Sequence, residues 1–214
     1  MEANKIEIKT LTISLVAVAA VEIAVRFMIQ RGQTDPMIIL GMARLAETLL
    51  LLIIVRSRGR GLSSVGLSVP GMVPGLKRGL AWSAGLGMVS LLAIAVMFAM
   101  RVDPLAFIRT RLPARGVDIV LFFAAGALAG PVAEEVLFRG ILYGFFRRWG
   151  VLLAVCASTV LFVLAHPSAF HRIPLTQVAG GVIFAVAYEK EGNLMVPITI
   201  HVLGNMAIFA LSLV

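Results

Sequence analysis

The chain has 214 residues, 60% of them hydrophobic and 14% charged, with a formal charge of +8 and a mean hydropathy of +0.99. Soluble domains carry about 25% charged and about 45–50% apolar residues, so this composition excludes an ordinary water-soluble globule and indicates a polytopic membrane protein. The basic balance does not point to nucleic acid, because no DNA- or RNA-binding motif accompanies it and much of the Lys and Arg stands at the ends of apolar runs, as membrane anchors do.

The N-terminus mixes Lys5 and Lys9 with Glu2 and Glu7. Ala17-Val-Ala19 loosely resembles a signal-peptidase site, but the apolar run continues past it, so the segment reads as a first span and not a cleaved signal. Apolar runs predict an all-α bundle of about seven transmembrane helices, at 10–30, 37–55, 76–100, 117–146, 151–165, 175–188 and 193–214. A helix needs about 20 residues to cross ~30 Å of hydrocarbon, so the fifth and sixth are short and must tilt, extend or re-enter. The fourth is long enough to project past the bilayer or to break at Gly130-Pro131. Between helices, 56–75 reads as a basic interfacial loop around Arg56, Arg58 and Arg60, and 101–115 as a short amphipathic surface piece around Arg109, Arg111 and Arg115. With the N-terminus cytoplasmic, Lys5, Lys9, Arg56, Arg58, Arg60, Lys77, Arg78, Arg147, Arg148 and Lys190 fall inside. Arg31, Arg101, Arg109, Arg111, Arg115 and Arg172 then fall outside, an excess that favours this orientation. Cys156 lies in an apolar run and reads as a small buried hydrophobe.

The polar residues inside these runs carry the functional signal. Glu134 and Glu135 are adjacent in Pro131-Val-Ala-Glu-Glu-Val-Leu-Phe-Arg-Gly140. Each carboxylate at membrane depth costs roughly 2.5–3.5 kcal/mol even on the mild insertion scale, which makes a functional site the default reading. Glu135 and Arg139 are four apart and share a helix face, so they can pair. Glu134 points about a quarter-turn (~100°) away and is left free as a general base. His166 ends the run Phe162-Val-Leu-Ala-His166, where a lone histidine is more often a capping or interfacial residue; His171 and Arg172 read as the loop beyond it. His201 and Asn205 are four apart on the last helix, with Gly204 beside them permitting close helix approach; alone, the pair could be interhelical hydrogen-bond glue. Glu22 with Arg26, and Arg44 with Glu47, read as structural pairs. Inward polar groups in a bundle seek one another, so the carboxylates, imidazoles and amide together predict a polar intramembrane cavity fit for water attack on a carbonyl.

Glu134-Glu135-x-x-x-Arg139, Phe162-x-x-x-His166 and His201-x-x-x-Asn205 resemble, in order and spacing, the three motifs of the CPBP intramembrane protease family. That family includes the CAAX prenyl proteases, the Abi proteins and bacteriocin-processing or self-immunity proteins. The resemblance implies a single transmembrane domain over residues 1–214 with a motif-bearing core at about 117–214. It implies endopeptidase action on membrane-associated substrates, prenylated or bacteriocin-like, in a multi-pass protein of a prokaryotic cell membrane. Glu134 would activate water, His166 would assist or orient it, His201 and Asn205 would stabilise the oxyanion, and Glu135 with Arg139 would support them. The chain is compact beside the eukaryotic CAAX enzymes, which argues against strict farnesyl-peptide specificity. No cysteine stands in a motif, which argues against a thiol protease.

Three alternatives stay open at the level of sequence. No cofactor is required by the motifs, yet Glu134, His166 and His201 could hold a divalent metal such as zinc with one open position, although the His-Glu-x-x-His signature is absent. A non-proteolytic immunity or scaffold protein would use the same polar residues as glue. A proton-coupled carrier would use them as a relay, but no inverted repeat relates the two halves.

Overall fold

The computed structural model describes residues 6–32, 34–58, 61–166 and 174–213. Among them the chain forms an all-α polytopic bundle of eight helices, with no strand. The helices are α1 (Ile8–Arg31), α2 (Pro36–Arg58), α3 (Val69–Ala99), a one-turn α4 (Leu105–Ile108), α5 (Gly116–Trp149), α6 (Val151–Leu164), α7 (Leu175–Glu191) and α8 (Met195–Leu211). The chain segments holding α1, α2, α3 and α5 are long and apolar enough to cross a membrane, whereas α6 and α8 are shorter apolar helices. Lys5, Arg60, His171, Arg172 and Val214, which entered the sequence reading, lie outside the described residues.

Local chemistry sets where these helices begin and bend. The stretch 56–75 is not one loop: it holds a 3-10 turn at Leu62–Val65 and then the first turns of α3. The hydroxyl of Ser68 accepts from the Gly71 N–H at 3.2 Å, and a proline follows at the first helical turn, so an N-cap and Pro start the helix seven residues before the apolar run does. At 1.5 Å per residue α3 is about 46 Å long. Helix α5 does not break at Gly130-Pro131 either. It widens into π turns at Ala124–Ala129 and Val136–Tyr143, on both sides of Gly130–Glu135. Pro131 lacks an N–H and its ring would strike the carbonyl one turn back; the Gly130 N–H instead reaches Ala125 O, and a Cβ on Gly130 would sit 3.0 Å from that oxygen. Such π turns recur at functional sites.

Helix α5 is the centre of the bundle. It packs on α2, α6, α7 and α8, while α1 pairs with α2, α3 with α8, and α6 with α7. Close approach of α3 and α8 depends on Gly75 and Gly79. Added Cβ atoms there would come within 2.5 Å of Asn193 Oδ1 and 2.6 Å of Thr199 Cβ. Asn193 locks the turn between α7 and α8 onto α3 by donating to Gly71 O at 2.7 Å. The outer surfaces of α1 and α3 expose rows of Ile, Val, Leu and Met, as lipid-facing surfaces do when packing and hydrogen bonds, not hydrophobic burial, hold helices together. Cys156 belongs to such a surface: it is exposed on α6 and not buried, because it falls on the face turned away from α7 and α5.

Candidate active site

The acidic doublet stands between the two π turns of α5. Glu135 and Arg139 are both fully buried and pair at 3.0 Å, the partnership their spacing predicts. Arg139 also donates to Gly181 O of α7 at 3.1 Å. Its guanidinium lies 4.6 Å from the ring centre of Phe162 and 5.2 Å from that of Phe184, contacts worth about 2 kcal/mol when desolvated. A buried cation is tolerated here because a carboxylate, a carbonyl and aromatic faces replace its water.

Glu135 accepts a second hydrogen bond on the same Oε1. His201 Nδ1 of α8 lies 2.7 Å away, and since a carboxylate held by Arg139 accepts, the ring donates. This turns His201 Nε2 toward Glu134 Oε2 at 3.8 Å, beyond direct hydrogen bonding. Glu134 therefore keeps its oxygens for another partner, and its side chain is 25% exposed where that of Glu135 is 0%. Phe184 stacks on the His201 ring at 4.5 Å between centroids and 23° between planes, and Phe162 meets it edge-on at 5.8 Å.

One turn further along α8, Asn205 Nδ2 donates to Gly126 O at 2.9 Å. That carbonyl lies in the first π turn of α5. An amide nitrogen has two N–H groups, so one remains for the cavity. His166 follows the last turn of α6, half-buried; its Nδ1 lies 2.8 Å from Phe162 O, and its ring is 4.7 Å from the Phe162 ring. The helix-end role and the cavity are thus combined in one residue.

Glu134, His166, His201 and Asn205 all line a single cavity of about 800 Å³. Its other walls come from α3 (Ser83, Ser90, Met97), α4 (Phe107) and α7 (Gln177, Phe184). Among the described residues no three His, Cys, Asp or Glu side chains are gathered closely enough to hold a metal ion; His201 has one nitrogen committed to Glu135.

The outer ion pairs depart from the sequence reading at one point. Arg44 and Glu47 pair at 2.5 Å as expected, but Glu22 reaches across to Arg44 at 2.5 Å and not to Arg26. Arg44 on α2 offers a second guanidinium nitrogen, whereas Arg26 faces outward. Sequence reasoning also missed Phe184 and the two carbonyls, Gly126 O and Gly181 O, that fix Asn205 and Arg139. A carbonyl leaves no trace in residue type, and Phe184 looks like packing in an apolar run. The available signal was Gly180-Gly181 inside a helix, each costing about 1 kcal/mol against Ala and so asking for a reason.

Residues 116–207 match the family model described as type II CAAX prenyl endopeptidase Rce1-like. The chain is 36% identical over 99 residues to the membrane-embedded CAAX protease MroQ of Staphylococcus aureus, covering 43% of this chain and 38% of that protein. It is 32% identical over 88 residues to an uncharacterized 24.3 kDa protein of Escherichia coli, covering 39% of this chain and 41% of that one. To the putative membrane peptidase YdiL of Bacillus subtilis it is 28% identical over 96 residues, covering 44% and 38%. The chain spans about two fifths of the length of these relatives. No solved structure gives a match. The matched stretch contains Glu134, Glu135, Arg139, His166, His201 and Asn205, so over residues 116–207 the chain is similar to the Rce1-like CAAX prenyl endopeptidases.

Proposed function

We propose that the protein is an intramembrane endopeptidase in which Glu134 activates the attacking water. One observation carries this reading: four polar side chains that lipid would expel, from α5, the end of α6 and α8, share one cavity. Glu134 takes a proton from water as its oxygen attacks the peptide carbonyl carbon. His166 orients that water. His201 and Asn205 donate to the oxyanion, a contribution of about 3–4 kcal/mol per donor in comparable sites. Collapse breaks the C–N bond, and the Glu134 carboxyl returns the proton to the leaving amine. Glu135 and Arg139 hold His201 from behind.

The substrate is a peptide or protein segment held in or at the bilayer, prenylated or bacteriocin-like. Leu86, Ile94, Met97 and Phe107 line the same cavity as the polar groups, which suits a chain with an apolar portion beside the scissile bond. The relative MroQ is described as a CAAX protease, in keeping with this class. The protein is inserted with its N-terminus cytoplasmic, following the excess of basic residues assigned to that side.

The test is cleavage of quenched-fluorescent peptides, with and without a farnesylated cysteine, by the purified full chain in detergent. Glu134→Gln should abolish cleavage while leaving the thermal transition in place. Wild-type cleavage by this variant would overturn the reading. If motif variants lose only stability and no peptide is cleaved, the immunity or scaffold alternative stands instead. Zinc on Glu134, His166 and His201 would require these side chains to close together from the positions they take here; loss of cleavage in a chelator, restored by added zinc, would assign it a role.

A further inference from the structure

The contacts of Phe184 reach beyond ordinary packing. Its ring lies against the imidazole of His201 nearly face to face, at 4.5 Å and 23°. The same ring is 5.2 Å from the guanidinium of Arg139, the group that holds Glu135. Phe184 thus touches both ends of the hydrogen-bonded chain Arg139–Glu135–His201. It also lines the cavity while being 8% exposed.

The ring takes this pose because the position one turn earlier has no side chain. A Cβ on Gly180 would stand 3.2 Å from Phe184 Cε2 and 3.3 Å from Cζ. Without it the phenyl group folds back along α7, as long helical side chains do, and presents its face to α8. The neighbouring Gly181 supplies the carbonyl that receives Arg139. The Gly180-Gly181 pair, costly in a helix interior, therefore serves two adjacent contacts of one site.

We propose that Phe184, given room by Gly180, is a positioning residue that fixes the plane of His201 so that Nε2 faces the space beside Glu134. The hydrogen bond to Glu135 anchors one ring atom and leaves rotation about the bond axis open; the stacked phenyl face closes that freedom. This inference rests on the peptidase reading for its kinetic consequence, and on geometry alone for the orientation of the ring.

The experiment uses the full chain in detergent and the peptide that the wild type cleaves fastest. Phe184→Leu keeps an apolar side chain but removes the stacked face. It should lower kcat by about 10–100-fold, the scale of a reacting group displaced by about an ångström, with KM changed less than about two-fold because the substrate's apolar wall persists. Phe184→Tyr should retain kcat. Gly180→Ala should reduce kcat in the same direction, its added Cβ pressing on the Phe184 ring while both ring side chains stay in the sequence. The protein has three histidines, so the ring resonances of His201 are identified by their loss in His201→Gln. In the wild type they should lie upfield, under the phenyl ring current, and in Phe184→Leu they should move downfield.

Unshifted His201 resonances in Phe184→Leu would overturn the proposal, as would wild-type kcat with only a lowered thermal transition. Should Phe184→Leu fail to fold, Gly180→Ala decides: full kcat there overturns the proposal. Should Glu134→Gln cleave like the wild type, Glu134 is not the base and that part of the proposed mechanism falls, and the resonance shift still decides whether Phe184 orients His201.

Discussion

The bundle holds two three-member ionic clusters, one centred on an arginine between two carboxylates and the other on a carboxylate between an arginine and a histidine. In α1 and α2, Arg44 bridges Glu22 and Glu47, with side-chain exposures of 25%, 37% and 2%. In α5 and α8, Arg139 and His201 meet on Glu135, with exposures of 0%, 6% and 0%. Both join a same-helix pair to a residue on another helix. The first stays partly open at the edge of the bundle and lies outside the stretch that matches the family. The second is sealed by Phe162 and Phe184 and ends in the cavity. A buried ion network is therefore no mark of a site by itself. What distinguishes the inner one is a member that turns an unspent atom, His201 Nε2, toward a cavity carboxylate.

That contrast can be broken in graded steps. The largest effect belongs to neither cluster but to the group the inner one serves: Glu134→Gln should lower kcat by about 10²–10⁴-fold, with an unchanged melting profile, measured on the peptide substrate. Arg139→Leu comes next. It leaves Glu135 buried with one ionic partner fewer, at a cost of about 3–5 kcal/mol of stability, read as a lowered thermal transition in detergent together with lost cleavage. Asn205→Ala removes one donor and should cost about 10²–10³-fold in kcat, with KM nearly constant. Smallest is Arg44→Leu. It strips Glu22 and the buried Glu47 of their ionic partner, which should lower the thermal transition by no more than Arg139→Leu does and leave kcat at the wild-type value. Equal losses of kcat in Arg44→Leu and Arg139→Leu would erase the distinction between the two clusters.

Features built within one helix were legible in advance. The predicted run 151–165 became α6 (Val151–Leu164), and 10–30 became α1 (Ile8–Arg31), because a helix satisfies the backbone hydrogen bonds of an apolar run within the run itself. Glu135–Arg139 and Arg44–Glu47 pair as their spacing of four and three requires. Where the chain had a choice, spacing misled. Glu22 had Arg26 one turn away and took Arg44 of the next helix instead. At α3 the apolar run began later than the helix, since Ser68 and the proline after it start the first turn without hydrophobic residues.

By itself, then, the order of residues determined that the protein is a membrane bundle, roughly where each helix runs, and which carboxylate on α5 pairs along its own helix. Those are short-range consequences of lipid solvation and of the 3.6-residue turn. Only the tertiary structure decided that His201 bonds Glu135, that Asn205 reaches the Gly126 carbonyl opened by a π turn, and that Phe184 covers both Arg139 and His201. Each of these joins groups from different helices. Their meeting depends on how closely α5, α7 and α8 can approach, which small residues and the widened turns of α5 govern and no local pattern records.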